Sequence, residues 1–124
     1  MRQVFGEGIP RAGHYSSAAV GGGFTFVSGQ GPLVPETGRV IDGDFRAKAR
    51  QCLRNIEAVL KSAGGTLDDV VKTTVFLHDW SDFGTLNEVY AEGFPVNPPA
   101  RSTIQGTRPP GHALAIEAIA IARR

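Results

Sequence analysis

The chain has 124 residues, of which 41% are hydrophobic, and 13 Lys and Arg against 12 Asp and Glu give a net charge of +1. This composition predicts one ordinary globular domain over residues 1–124, and the balanced charge excludes the strong basic field that nucleic-acid binding needs. One cysteine, Cys52, excludes an internal disulfide framework, and the lack of a long apolar run or a signal peptide predicts a cytoplasmic protein that does not bind membranes.

The first half of the chain predicts a strand, a loop and a long helix. Residues 23–29 are rich in aromatic and β-branched side chains after a run of glycines, which favours a strand. Two prolines and a glycine predict a loop over residues 32–38. Asp44 then caps a helix, in which apolar residues recur at steps of three and four over 45–63 until two glycines end it.

The second half predicts another strand, a shorter helix and two final strands. Residues 69–78 are crowded with Val, Thr and Phe, which favours a strand. Ser81 or Asp82 is the expected N-cap of the second helix, and Pro95 stops it. A Pro-Pro-Gly turn separates the last two strands, which are expected over residues 102–105 and 114–122.

This order of elements predicts an α+β fold in which both helices cover one face of a mostly antiparallel or mixed sheet. The last strand is apolar on both faces except at Glu117. Such strands are usually buried on both sides. Because the helices cover only one side, we expect a second copy of the chain to cover the other.

The search for catalytic motifs leaves one attractive residue. His14, His78 and His112 lie too far apart for a common zinc pattern, and no glycine-rich nucleotide loop is present, so we expect no metal or cofactor. Arg101 begins a strand after a proline-rich turn, and its planar guanidinium fits a carboxylate through two parallel hydrogen bonds. From spacing alone, a surface arginine or a structural salt bridge is the simpler explanation.

Nearly the whole chain, however, resembles the reactive-intermediate deaminase (RidA) family, also called the YjgF or L-PSP family. The matching blocks are GHYS at 13–16, FVSGQ at 26–30, PETG at 35–38, QCLRNI at 51–56, DVVKTTVFL at 69–77, NEVY at 87–90, PARS at 99–102 and IEAIA at 116–120. Each block is weak alone, but all of them in this order and at this spacing make the resemblance specific.

The resemblance implies a chorismate-mutase-like α+β domain, with a six-stranded mixed sheet, two helices on one face and three copies packed around a central barrel. It also implies a hydrolase of C=N bonds, working in clefts between subunits. Such an enamine or imine deaminase converts 2-aminoacrylate-like 2-imino acids to 2-oxo acids and ammonia. The expected partners are therefore a small carboxylate substrate and two further copies of the chain.

The family's functional residues can be carried over onto this sequence one at a time. Arg101 matches the arginine that binds the substrate carboxylate, and Tyr15 and Asn87 match polar residues expected to act with it in catalysis. Three further positions match substrate-binding residues, and these are Ser28, Gly29 and Thr103.

One departure from the family pattern bears directly on activity. The glutamate thought to activate water is replaced by Ala115, whereas the next glutamate is kept as Glu117. The chain could be a weakened deaminase or one that uses another acid–base group, for which His112 is a candidate. Alternatively, it could be a small-carboxylate binding protein or a pathway-specific member with little generic deaminase activity. Ribonuclease activity, which some family names mention, is disfavoured by the balanced charge.

Overall fold

The computed structural model of the chain describes residues 1–6, 8–9 and 13–123. Its strands and helices in chain order are β1 (Arg2–Val4), β2 (Ala18–Gly21), β3 (Phe24–Gln30), β4 (Leu33–Val34), β5 (Arg39–Val40), α1 (Phe45–Ser62), β6 (Val70–Leu77), α2 (Phe83–Gly93), β7 (Ala100–Gln105) and β8 (Leu114–Ile121). Short 3₁₀ turns precede β6 and α2. None of the helices in the described ranges is long and apolar enough to cross a membrane.

Six strands form one sheet in the order β1-β2-β3-β8-β6-β7, with every pair antiparallel except the parallel pair β6–β7. The predicted α+β fold, with two helices and a mixed six-stranded sheet, is confirmed. Strands β1 and β2 were not predicted from the sequence, because such short segments give no clear periodicity. The loop predicted over 32–38 is wrong in part, since β4 lies within it and pairs with β5 in a small hairpin.

Helix α1 begins as predicted, because the carboxylate of Asp44 accepts a hydrogen bond from the backbone N–H of Ala47 at 3.0 Å. It ends at Ser62, and Gly64 follows with a φ of 87°, a conformation that favours glycine. Its apolar face packs on β3 and β8, where the fully buried side chains of Ile56, Val59 and Leu60 form the centre of the core.

We expect Asp44→Ala to lower the free energy of unfolding by about 1 kcal/mol, because the first turn of α1 loses its capping acceptor. Urea denaturation measures this loss. Asp44→Asn retains a capping oxygen and should therefore behave nearly as wild type. Equal destabilisation by both substitutions would show that the cap does not contribute in this way.

Helix α2 starts differently from the prediction. Asp82 precedes it but makes no capping hydrogen bond. The carboxylate of Asp79 instead accepts from the N–H of Ser81 at 2.9 Å, so the cap belongs to the preceding 3₁₀ turn. The helix ends at Gly93, where an added Cβ would lie 2.9 Å from Leu53 of α1, so glycine permits the close approach of the two helices.

Within the described residues of a single chain, neither helix covers the second face of the sheet. In β6, the register with β8 shifts between Val70 and Lys72, and Val70 is buried while Val71 is 43% exposed. In β8, only the side under the helices is buried along the whole strand within the described chain. On the other side, Glu117 is exposed and Ile121 is 46% exposed. The large exposed apolar side chains of this face are Phe24, Phe26, Val71, Ile104 and Ile121.

Candidate functional site

Arg101 lies in β7 beside Thr73 of β6, and its guanidinium is held from the side of α2. Its Nη2 donates a hydrogen bond to Oδ1 of Asn87 at 2.6 Å. The guanidinium carbon lies 4.7 Å from the ring centre of Tyr90 and 5.4 Å from that of Phe83. These contacts fix the plane of the guanidinium. Among the described residues, no carboxylate forms a salt bridge with it.

The tyrosine beneath Arg101 is itself anchored. Tyr90 donates its hydroxyl hydrogen bond to Oγ1 of buried Thr73 at 3.1 Å, and burial raises the pKa of Tyr90 to about 12. The ring is therefore a neutral platform at physiological pH. A cavity of about 440 Å³ opens beside it, lined by Asn87, Tyr90, Ala91, Phe94, Pro95, Pro98, Pro99 and Arg101.

A second cavity of about 370 Å³ lies at the end of β3 and β8. It is lined by Ile9, Tyr15, Gly29, Gln30, Gly31, Leu33, Gly38, Asn55, Arg108, Pro109, His112 and Ala115. Ala115 is buried here, and its side chain alternates in β8 with those of Leu114 and Ile116, which belong to the core under the helices. The cavity thus gathers Tyr15, Gly29 and the position of the missing glutamate.

The wall of this second cavity depends on an irregularity in β3. The register with β8 shifts between Val27 and Gln30, so Ser28 and Gly29 have no partners in the β8 ladder. Ser28 donates its hydroxyl hydrogen bond to the carbonyl of Ser16 at 2.8 Å and does not line the cavity, whereas Gly29 does. A bulge of this kind changes the direction of the backbone, and bulges are frequent next to functional sites.

Buried polar side chains of α1 hold the loop that follows β3. Nδ2 of Asn55 donates to the carbonyls of Gly31 at 3.1 Å and Leu33 at 2.9 Å, and Nε2 of Gln51 donates to Oδ1 of Asn55 at 3.0 Å. The two amides satisfy each other and the loop carbonyls inside the protein. Gln51 and Asn55 therefore hold the loop of Gly31 and Leu33, which lines the second cavity, in a fixed position against α1.

His112 turns into this cavity beside Ala115, with Nδ1 3.3 Å from the place where a Cβ on Gly31 would lie. Burial lowers the pKa of His112, and the positive charges of Arg108 and Lys48 lower it further. The imidazole is therefore neutral near pH 7 and free to accept a proton. Within the described lining of the cavity, it is the side chain best suited to act as a base.

The lowered pKa of His112 also predicts a pH dependence of stability. A histidine in the unfolded chain has a pKa near 6.5, whereas the pKa of His112 in the folded chain is lower. Below about pH 6.5, the unfolded state therefore binds a proton that the folded state does not. The free energy of unfolding should therefore fall as the pH drops below about 6.5 towards the lowered folded pKa. His112→Gln should reduce this fall when urea unfolding is compared at about pH 7.5 and about pH 5. An unchanged pH dependence would contradict the assignment.

The two cavities cannot act on one small molecule within a single chain. Strand β7, which carries Arg101, is three inter-strand steps from β3, which carries Gly29, or roughly 14 Å at about 4.8 Å a step. Arg101 also lies on the helix side of the sheet, whereas Ala115 lies on the other side. Thr103 is partly buried in β7 and belongs to the described lining of neither cavity.

The structure thus places four of the residues predicted from the sequence in two groups. Arg101 and Asn87 lie together at the β7 edge of the sheet. Tyr15 and Gly29 lie together in the second cavity, and Ser28 and Thr103 line neither cavity. Arg108, in the second cavity, was not among the site residues predicted from the sequence. A single arginine in a turn shows no sequence pattern that distinguishes a site residue from an arginine exposed to solvent. In the described part of the chain, no cluster of three or more His, Cys, Asp or Glu is placed to hold a metal ion.

Comparisons with known proteins agree with this fold. A family model described as endoribonuclease L-PSP matches residues 6–123. The chain is 46% identical over 119 residues to a RutC family protein of Pyrococcus horikoshii, with 94% of each covered. It is 43% identical over 110 residues to the 2-iminobutanoate/2-iminopropanoate deaminase of Rattus norvegicus, covering 88% of this chain and 80% of the rat protein.

A solved structure extends the agreement to three dimensions. RidA from an Antarctic Psychrobacter bacterium has a TM-score of 0.91 to this chain at 37% identity, covering 98% of this chain and 99% of that one. The fold is therefore the α+β fold of the L-PSP proteins. The chain belongs to the endoribonuclease L-PSP family, also known as the RidA or YjgF family.

Proposed function

We propose that this protein hydrolyses 2-imino acids to 2-oxo acids and ammonia in clefts formed between copies of the chain. The observation that carries the proposal is Arg101, a guanidinium oriented by Asn87 and Tyr90 with no carboxylate partner among the described residues. The family membership supports it, because relatives in the family are named imine deaminases.

The proposed assembly is a homotrimer in which the open faces of three sheets meet. Its support is the uncovered apolar patch, since five large apolar side chains between 38% and 50% exposed lie on that face. Large apolar side chains left exposed on one face of a sheet indicate an interaction surface. In such an assembly, the Arg101 edge of one copy would face the Tyr15 and Ala115 cavity of its neighbour and complete one cleft.

Arg101 would bind the substrate carboxylate through its remaining N–H donors. The fork geometry places two parallel hydrogen bonds on one carboxylate, and this fixes the plane of the adjacent C=N bond. Asn87 accepts one N–H of Nη2, so it positions the guanidinium and leaves the other N–H donors for the ligand. A fixed, conjugated imine needs mainly orientation for attack, and orientation supplies much of the rate.

The water that attacks C2 must lose a proton, and the neutral imidazole of His112 is positioned to take it. The substrate reacts as its iminium form, protonated on nitrogen: a C–O bond forms at C2, the C=N π electrons pass to nitrogen, and the water proton passes to His112, giving a neutral carbinolamine. His112 then returns that proton to nitrogen and takes the hydroxyl proton as the C–N bond breaks and the C=O bond forms. Ammonia and the 2-oxo acid leave, and His112 releases its proton to solvent. His112 would thus fill the role that a carboxylate at position 115 would otherwise take.

A second candidate function is carboxylate binding without turnover. The observation that favours it is Ala115, which places a buried methyl group where the family pattern has a glutamate. Arg101 could still hold a small carboxylate in such a protein. The two functions differ in one measurable respect, since only the first consumes an imine.

The test uses imines made in place. An amino-acid oxidase acting on 2-aminobutanoate produces 2-iminobutanoate, semicarbazide traps the imine that remains, and the trapped product is followed by absorbance. A deaminase removes many imine molecules per protein chain, so a small amount lowers the trapping rate for the whole assay. A binding protein removes at most one imine per site and has no effect once its sites are full. Light scattering on the same sample should give the mass of a trimer, and a monomer with full activity would contradict the shared cleft.

A further inference from the structure

Arg108 lines the second cavity with its positive charge, and the proposed chemistry gives this charge no role. It lines the cavity beside His112, and its buried Nε has no hydrogen-bond partner in the described structure. Its backbone N–H donates to Nδ1 of His78 at 3.0 Å, which ties the residue to the end of β6. The backbone of Arg108 is therefore fixed at the wall of the cavity, and no acidic side chain in the described lining neutralises its guanidinium.

The second cavity is positively charged. Its described lining includes Arg108 and His112 but no aspartate or glutamate. The field of Arg108 acts on two other groups, since its charge lowers the pKa of His112 and opposes the rise that burial causes in the pKa of the Cys52 thiol. A partly buried guanidinium without a counter-charge is costly, because desolvation is not offset by an ion pair. An anion in the cavity would remove that cost.

The missing glutamate fits the same explanation. A carboxylate at position 115 would lie in this cavity with Arg108 and would compete with any anionic ligand for its guanidinium. Ala115 removes that competitor. The cavity volume of about 370 Å³ falls within the range of small-molecule sites and leaves room for a side chain longer than that of a three-carbon imine.

We propose that Arg108 forms a second anion subsite, so that the preferred substrates are 2-imino acids whose side chain ends in a carboxylate. This inference rests on the proposed function. Arg101 of a neighbouring copy binds the carboxylate next to the imine, and Arg108 binds the distal one. The substrate class is thus an iminodicarboxylate such as 2-iminoglutarate, in place of a short aliphatic imine.

The test compares two imines made by the same route, 2-iminoglutarate from glutamate and 2-iminobutanoate from 2-aminobutanoate. Wild type should have the higher kcat/KM for 2-iminoglutarate. At about pH 8.5, where the imidazole of His112 is neutral with or without the charge at position 108, Arg108→Gln should lower that value by about 10- to 100-fold and change the value for 2-iminobutanoate by less than about 3-fold. Arg54→Gln, which removes an exposed arginine of α1 outside this cavity, is the matched control and should leave both values unchanged.

Binding measurements separate failure of this inference from failure of the proposed function. Calorimetry with the two products, 2-oxoglutarate and 2-oxobutanoate, should show a preference for 2-oxoglutarate that Arg108→Gln abolishes, even if no imine is turned over. Arg108→Lys, which retains the charge, should keep part of the preference and shows that the site folds. No preference for the dicarboxylate in wild type, as expected if a carboxylate of a neighbouring copy pairs with Arg108, would overturn the inference.

Discussion

Arg101→Gln is expected to lower kcat/KM for the preferred imino acid by about 10²- to 10³-fold. The substitution keeps hydrogen-bonding capacity but removes the positive charge and the paired donors that hold the substrate carboxylate. Most of the loss should appear in KM if binding is affected, with a smaller loss in kcat from poorer alignment of the C=N bond. Initial rates in the semicarbazide assay, measured over a range of substrate concentrations, give both constants.

The control for this prediction is Arg50→Gln. Arg50 is a half-exposed arginine of α1 whose guanidinium pairs with Glu92 at 2.8 Å, and it lines neither of the two cavities proposed to form the cleft. Removing a surface ion pair of this kind changes stability little, because solvent screens it, and should leave kcat/KM unchanged. Equal losses for Arg50→Gln and Arg101→Gln would show that general destabilisation, not loss of a carboxylate ligand, explains the effect.

His112→Gln is expected to lower kcat by about 10²- to 10⁴-fold, which is the usual contribution of a general acid–base group. Glutamine fills similar space but cannot take the proton of the attacking water. The double variant His112→Gln/Ala115→Glu restores a base to the same cavity from β8, and we expect it to regain a large part of the lost activity with short aliphatic imines.

The pH profile distinguishes a base from a merely structural histidine. In wild type, kcat should rise with pH through the lowered pKa of His112 and then level off, because the neutral imidazole is the active form. In the double variant, this rise should move to the lower pH at which a glutamate ionises. A fully active His112→Gln variant, or one whose pH profile matches that of wild type, would exclude His112 as the base.

The parts of the fold that could be predicted were those with strong periodicity. Helix α1 begins at the residue expected from Asp44, and the apolar pattern over β6 and β8 gave these strands correctly. The register shift in β6, which buries Val70 and exposes Val71, could not be foreseen, because a bulge depends on pairing with a distant strand. The short strands β1, β2, β4 and β5 were missed for a different reason, because segments of two to four residues show no clear periodicity.

The candidate site was predicted as a set of residues but not as an arrangement. The resemblance predicted Arg101, Asn87, Tyr15 and Gly29 as site residues. Only the order of strands in the sheet shows that they form two groups at separate places in the folded chain. Arg108 escaped notice because its importance comes from burial and from the lack of a partner. Both depend on how the turn before β8 packs over the end of β3, which the local sequence does not reveal.

The most direct test of the shared cleft is complementation between two inactive variants. Arg101→Gln and His112→Gln chains are co-expressed with different tags, and oligomers that carry both tags are purified and assayed. If each cleft takes Arg101 from one copy and His112 from the next, every trimer that carries both tags has one intact cleft among its three, and activity should return to about one third of wild type. Mixed oligomers no more active than either variant alone would contradict a cleft built from two copies.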